Sequence, residues 1–225
     1  SQEGFNPLHV VAVNVKGLGG VLPEFPGIPD EHFSTGAAPG KGMISKREVR
    51  LAILSLMQAA AGDTVWDIGA GCGGVAVELA RWAPKAKVHA IEHHPERLKH
   101  LAINQDRFGV VDNLMIHNAT APDCLDGLAK PSKIFIGGSD GRLAQLLEQC
   151  WQTIPVGGRL VVSAVIEPSK AIIDEFAKAV SLQNNVDIES VEVGVNRGRY
   201  RQGEHHQQSR LPVLIVKFEK TIGAP

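Results

Sequence analysis

The chain has 225 residues, 44% apolar and 21% charged, with a net charge of -1. That length holds one large domain burying roughly 70–75% of its extended surface, and the near-neutral total excludes a nucleic-acid or membrane partner held by bulk charge alone. Cys72, Cys124 and Cys150 stand far apart without a Cys-x-x-Cys pair, so neither a disulfide framework nor a metal site follows, and a reducing cytoplasm is the expected compartment. No apolar run reaches the ~18–20 residues of a membrane span, and no signal peptide is visible.

Residues 1–40 begin with one alternating stretch, Leu8 to Val15, and then turn rich in Gly and Pro from Gly17 to Gly40. Such a stretch builds no core of its own and reads as an arm or linker, with the domain running from 41 to 225. Ser1 to Asn6 do not resemble a natural start, which suggests a piece of a longer chain. Ser45 and Glu48 have the spacing of a capping box and predict a helix through about Ala60.

Short apolar runs and helical stretches then alternate. Strands are expected at Thr64–Ile68, Lys87–Glu92, Leu114–Asn118, Lys133–Gly137 and Arg159–Val165, with helices after each except the third. This order implies parallel strands covered by helices on both faces. Two further strands, Val186–Val195 and Leu211–Glu219, have only a polar, basic segment between them and should pair antiparallel.

The sharpest signal is Val65-Trp66-Asp67-Ile68-Gly69-Ala70-Gly71-Cys72-Gly73-Gly74, where the first strand turns into a helix. Glycines there allow a tight turn and close approach of a ligand to the backbone. Gly69-x-Gly71-x-x-Gly74 also fits a dinucleotide fingerprint. Asp67 argues for S-adenosylmethionine instead, because a carboxylate two residues before the first glycine repels a pyrophosphate and tolerates a cationic methionine end. Glu92, 21 residues beyond Gly71, ends the second strand where a carboxylate accepts hydrogen bonds from ribose hydroxyls. The expected architecture is a Rossmann-like class I methyltransferase fold, with a mostly parallel seven-stranded sheet and an antiparallel last strand. Thr120 and Ala121, ending the third strand, should lie beside adenine. Gly137, Gly138 and Ser139 stand where amino-group methyltransferases carry Asn/Asp-Pro-Pro-Tyr, and their small size admits a broad planar substrate.

Met43 to Arg50, the glycine loop, Ala121-Pro122, Phe135 to Ser139 and Gly157 to Val161 follow one another in an order that resembles the carbon-15-methylating, decarboxylating module of the precorrin-6Y methyltransferases. The resemblance covers about residues 27–220. Phe5 to Val11 resembles the last strand of the carbon-5-methylating module that precedes it in fused enzymes. The resemblance implies methylation of carbon 15 of a precorrin with loss of the carbon-12 acetate as carbon dioxide, in cobalamin biosynthesis. It also implies a homotetramer and a carbon-5-methylating module in the same full-length chain. Family cofactor contacts carry over to Ser45, to the loop Gly69, Ala70, Gly71, Cys72 and Gly73, to Glu92 and to Ala121. Thr120 departs from a frequent family aspartate.

A precorrin carries many carboxylates, so its site needs clustered cations. Lys46 and Arg47, with Lys41 and Arg50, form one group. Arg197, Arg199 and Arg201, with Arg210, His205 and His206, form another beyond the sixth strand, at the strands' carboxyl ends where open α/β sheets bind ligands. No side chain is singled out as catalytic acid or base. Another small-molecule or tRNA methyltransferase, an NAD-dependent oxidoreductase and a non-catalytic cofactor-binding partner remain as alternatives.

Overall fold

The computed structural model describes residues 24–222. The strand expected at Leu8 to Val15 and the Phe5 to Val11 resemblance lie outside these residues. One seven-stranded sheet has the order β3-β2-β1-β4-β5-β9-β6. Its strands are β1 Thr64–Ile68, β2 Lys87–Glu92, β3 Leu114–Asn118, β4 Lys133–Ile136, β5 Arg159–Ala164, β6 Val186–Val193 and β9 Val213–Lys220. β1 to β5 pair in parallel, while β9 runs antiparallel to both neighbours, β5 and β6. The sheet therefore has the expected architecture.

The basic segment before β9, read as a connection, forms a second sheet of its own. β7 Asn196–Arg201 and β8 Glu204–Ser209 make an antiparallel hairpin. Its sequence alternates polar residues with polar residues, so the period-2 apolar signal of a half-buried strand is missing.

Side chains alternate across the sheet and define two cores. Val65, Phe135, Val161 and Ile215 face α1 Arg47–Met57 and α2 Gly74–Trp82. Trp66, Ile134, Val162 and Phe218 face the side of α4 Leu143–Thr153 and α5 Glu167–Ser181. Asp67 has the parity of Val65, which carries a carboxylate into the first of these layers. α3 Pro95–Arg107 follows β2 with Pro95 in its first turn.

Two expectations about the N-terminal side are corrected. The stretch 24–40 is not a detached linker: Ile28 and Phe33 are buried in the α1–α2 core. They are tied down by ions, since fully buried Arg50 binds Asp30 at 2.7 Å and Glu78 at 2.8 Å, and Glu78 accepts the Gly27 and Ile28 amides. The capping box is not formed either. Lys46 occupies the cap position of α1 without a side-chain cap, and the Arg47 amide instead donates to Asp30 Oδ1 at 2.9 Å. A distant carboxylate thus caps the helix, leaving Glu48 to pair with Arg197 through a 2.5 Å hydrogen bond.

Candidate active site

A cavity of about 720 Å³ lies at the carboxyl ends of β1, β4 and β5. Its floor is the glycine loop and the turn after β4. Gly69 has φ +71°, and a Cβ there would meet the Gly138 backbone at 2.6 Å, so the two turns touch only because residue 69 is glycine. The segment before α1 forms one wall, held by the Cys72 amide donating to the Met43 carbonyl at 3.2 Å.

Two carboxylates line this cavity. Asp67 is 1% exposed, and neither oxygen has a hydrogen-bond partner. Burial pushes its carboxyl up to about 7, the nearby charge of Glu92 adds to this, and the Ala76 amide offsets part without reaching hydrogen-bond geometry. Glu92 is fully engaged in comparison. Its Oε2 accepts from the Gly71 amide at 3.0 Å, and its Oε1 accepts from the His93 and His94 amides at 2.9 Å each. β2 therefore grips the glycine loop through Glu92.

Most of the expected residues meet here. Ser45, Lys46, Asp67, Gly69, Ala70, Gly71, Glu92, Gly137, Gly138 and Ser139 all line the cavity. Ala121 joins Ala119, Glu92 and Ser139 around a small recess beside it. Three of the expected cofactor residues do not line the cavity or its recess. Cys72 and Gly73 turn inward, with the Cys72 carbonyl accepting from Asn104 and the Gly73 amide donating to Ala70; Gly74 lines the cavity in their place. Thr120 points to solvent, because β3 is the sheet edge and Ala119 and Ala121 take the inward positions.

The cations divide differently from expectation. Arg47 is exposed and approaches only Glu48, at 3.5 Å. Arg197 and Arg199 line a second, polar cavity of about 1200 Å³ between the β7–β8 hairpin and the segment Glu31 to Lys41. Arg197 is already neutralised by Asp30 and Glu48, and Arg199 lies 3.6 Å from Glu31. Arg201 closes β7, and its side chain lies outside the described residues. Lys46 is half-buried and loses affinity for its proton through desolvation, against the pull of Asp30 and with the push of Arg210, Arg197 and Arg50.

The strand ends singled out from the sequence are those of β1 to β4, yet the end of the fifth strand belongs to the site as well. Ser163 near the end of β5, Val165 and Ile166 just after it, and Leu211 before β9 also line the main cavity. Val165 and Ile166 carried a signal, since the strand-end rule applied to β1 through β4 applies equally to β5.

Sheet order, antiparallel β9 and the glycine loop with its acidic strand-end partner define the class I S-adenosylmethionine-dependent methyltransferase fold. Within that class, the precorrin methyltransferase domain model matches residues 38–199, and the chain belongs to this family. A crystal structure of precorrin-6Y C5,15-methyltransferase from Geobacter metallireducens superposes with a TM-score of 0.78 at 30% identity, covering 86% of this chain and 98% of that one. The precorrin-6Y C(5,15)-methyltransferase [decarboxylating] of a Sinorhizobium species is 34% identical over 81% of this chain but only 43% of its own length. The probable cobalt-precorrin-6B C(15)-methyltransferase (decarboxylating) of Methanothermobacter thermautotrophicus is 30% identical over 84% of this chain and 94% of its own. The chain thus spans less than half the length of the first of these two relatives and nearly all of the second.

Proposed function

We propose that this protein methylates carbon 15 of a precorrin and removes the carbon-12 acetate as carbon dioxide, using S-adenosylmethionine, in cobalamin biosynthesis. One observation carries the substrate side of this reading. The main cavity has an exposed apolar rim, with Met43 59%, Ile166 60% and Leu211 72% exposed, and it adjoins the cationic cavity of the hairpin through their shared residue Arg210. A reduced tetrapyrrole has the matching surface, an apolar ring system fringed by carboxylates. Exposed apolar side chains grouped at a cavity mouth are uncommon unless something covers them.

The cofactor side rests on Asp67 and the glycine cradle. A buried carboxyl with no partner suits a ligand that brings positive charge, and glycines at 69 and 71 let the loop beside it pack against the Gly138 backbone and the Met43 carbonyl. Ser45, Asp67, Gly69, Ala70 and Gly71 would hold the methionine end, Glu92 the ribose, and Ala119 and Ala121 the adenine. S-adenosylmethionine supplies a methyl group already activated on a sulfonium.

The protein's task is then positioning: to hold carbon 15 in line with that methyl at ~3–3.5 Å and to exclude water. Gly137, Gly138 and Ser139 let a flat ring lie close to the floor. In the second step the bond from the acetate methylene to its carboxyl carbon breaks, its electron pair enters the conjugated macrocycle, and a proton from water or a cavity side chain restores a methyl at carbon 12. A homotetramer, a cytoplasmic location and a preceding carbon-5-methylating module belong to the same proposal; the first is tested by sedimentation velocity.

Mass spectrometry of a precorrin substrate incubated with protein and S-adenosylmethionine tests the reaction. The expected product has gained one methylene and lost one carbon dioxide. Unchanged substrate, together with a melting temperature raised by NAD rather than by S-adenosylmethionine or its demethylated product, would overturn the reading.

A further inference from the structure

Arginine is the side chain best suited to a carboxylate, because its planar fork pairs both oxygens at once. The hairpin carries several arginines, but most have been spent within the protein. Arg197 has Asp30 and Glu48, and Arg199 has Glu31. Arg210 differs. Among the described residues its side chain makes no ion pair and no hydrogen bond, and its backbone amide is fixed to the Val195 carbonyl at 3.0 Å, across the base of the hairpin. Arg210 lines both cavities and so stands on the threshold between them. Lys46 lines the main cavity from the opposite element, near enough for the charge of Arg210 to weaken its hold on a proton. Two cations from α1's entry and the hairpin's exit repel one another across this gap, and an anion placed between them relieves the repulsion. Exposed Leu211 follows Arg210 directly, so an apolar surface lies beside the charge.

We propose that Arg210 binds a peripheral carboxylate of the tetrapyrrole, with Lys46 as second cation, and so sets which ring carbon faces the methyl donor. This rests on the tetrapyrrole reading above. Arg197 is by contrast a positioning residue, which holds the hairpin against Asp30 and Glu48 so that Arg210 stands where it does.

The test uses Arg210→Gln and Arg210→Lys with uroporphyrin, an octacarboxylate, and its octamethyl ester as probes, followed by porphyrin fluorescence. The wild-type protein should bind the acid and discriminate against the ester. Arg210→Gln should weaken acid binding about ten- to a hundredfold, the loss of a charged hydrogen-bonded pair, with ester binding unchanged. Arg210→Lys should recover only part, since an ammonium cannot make the fork. Affinity for S-adenosylhomocysteine should be the same in all three, which excludes misfolding. If the wild type prefers the acid and Arg210→Gln binds it equally well, the assignment to Arg210 is wrong while the tetrapyrrole reading stands. If the wild type does not distinguish acid from ester, the tetrapyrrole reading fails and Arg210 with it.

Discussion

Arg197 Nη1 lies 2.8 Å from Asp30 Oδ2, so a hairpin arginine expected to meet a substrate carboxylate already holds one of the protein's own. Through its other oxygen Asp30 binds Arg50 and caps α1, and all of its side chain is buried. Asp30→Ala would leave Arg50, itself fully buried, with Glu78 as its remaining carboxylate. Removing one partner of a buried ion pair typically costs ~3–5 kcal/mol, and that is the expected loss, read from the urea midpoint at unchanged slope. A loss below ~1 kcal/mol, the level of an exposed pair, would mean that water replaces Asp30 without cost.

Glu92 accepts three backbone amides, two from its own chain neighbours and one from Gly71. Glu92→Ala should weaken S-adenosylmethionine binding by ~1.5–3 kcal/mol, the range for charged hydrogen bonds. The same change frees the Gly71 amide, so hydrogen exchange at Gly71 should accelerate even in the ligand-free protein. Calorimetry giving unchanged affinity would remove Glu92 from the ribose site, whereas unchanged exchange would remove it only from the loop.

The sheet was legible because its strands announce themselves as apolar runs separated by helices, and Asp67 and Glu92 were legible because strand ends place ligands. What escaped was set by distance along the chain. Nothing local in Ser45 to Glu48 says that Asp30 will cap the helix and that Glu48 will be drawn to Arg197. Likewise Gly27 to Phe33 reads as linker until Arg50 and Glu78 are seen to pin it. The hairpin residues Asn196 to Ser209 are legibly basic, but a sequence gives charge without its partners. It therefore could not separate the paired Arg197 from Arg210. Cys72 and Gly73 were carried into the site by the continuity of the loop, whereas the loop turns inward after Gly71 to meet Met43 and Asn104.

Two glycines separate backbone strain from close approach. Gly69 and Gly109 both have positive φ, +71° and +64°, but a Cβ at Gly109 would meet nothing within 4 Å. Gly109→Ala should cost about 1–2 kcal/mol from the left-handed backbone alone. Gly69→Ala should cost more, because its Cβ would press on the Gly138 backbone, and it should also abolish detectable binding of S-adenosylmethionine. Equal stability losses in denaturant would show that the turns after β1 and β4 separate freely.

Asp67 gives the site a pH dependence with a definite sign. Its carboxyl is raised from 3.8 to about 7 by burial, so the folded protein holds a proton that the unfolded chain releases. Its contribution to stability is therefore complete below about pH 4 and lost as pH rises through about 7. A ligand carrying positive charge favours the ionised form, so binding S-adenosylmethionine near pH 6.5 should release a proton. Calorimetry in buffers of different ionisation enthalpy measures that release, which should vanish in Asp67→Asn along with the fall in melting temperature between pH 5 and 7. Affinity should rise with pH over the same interval in the wild type. A wild-type protein that binds without proton release at pH 6.5 would show that Asp67 keeps one protonation state in the free and bound protein, and that it does not answer the ligand's positive charge by ionising.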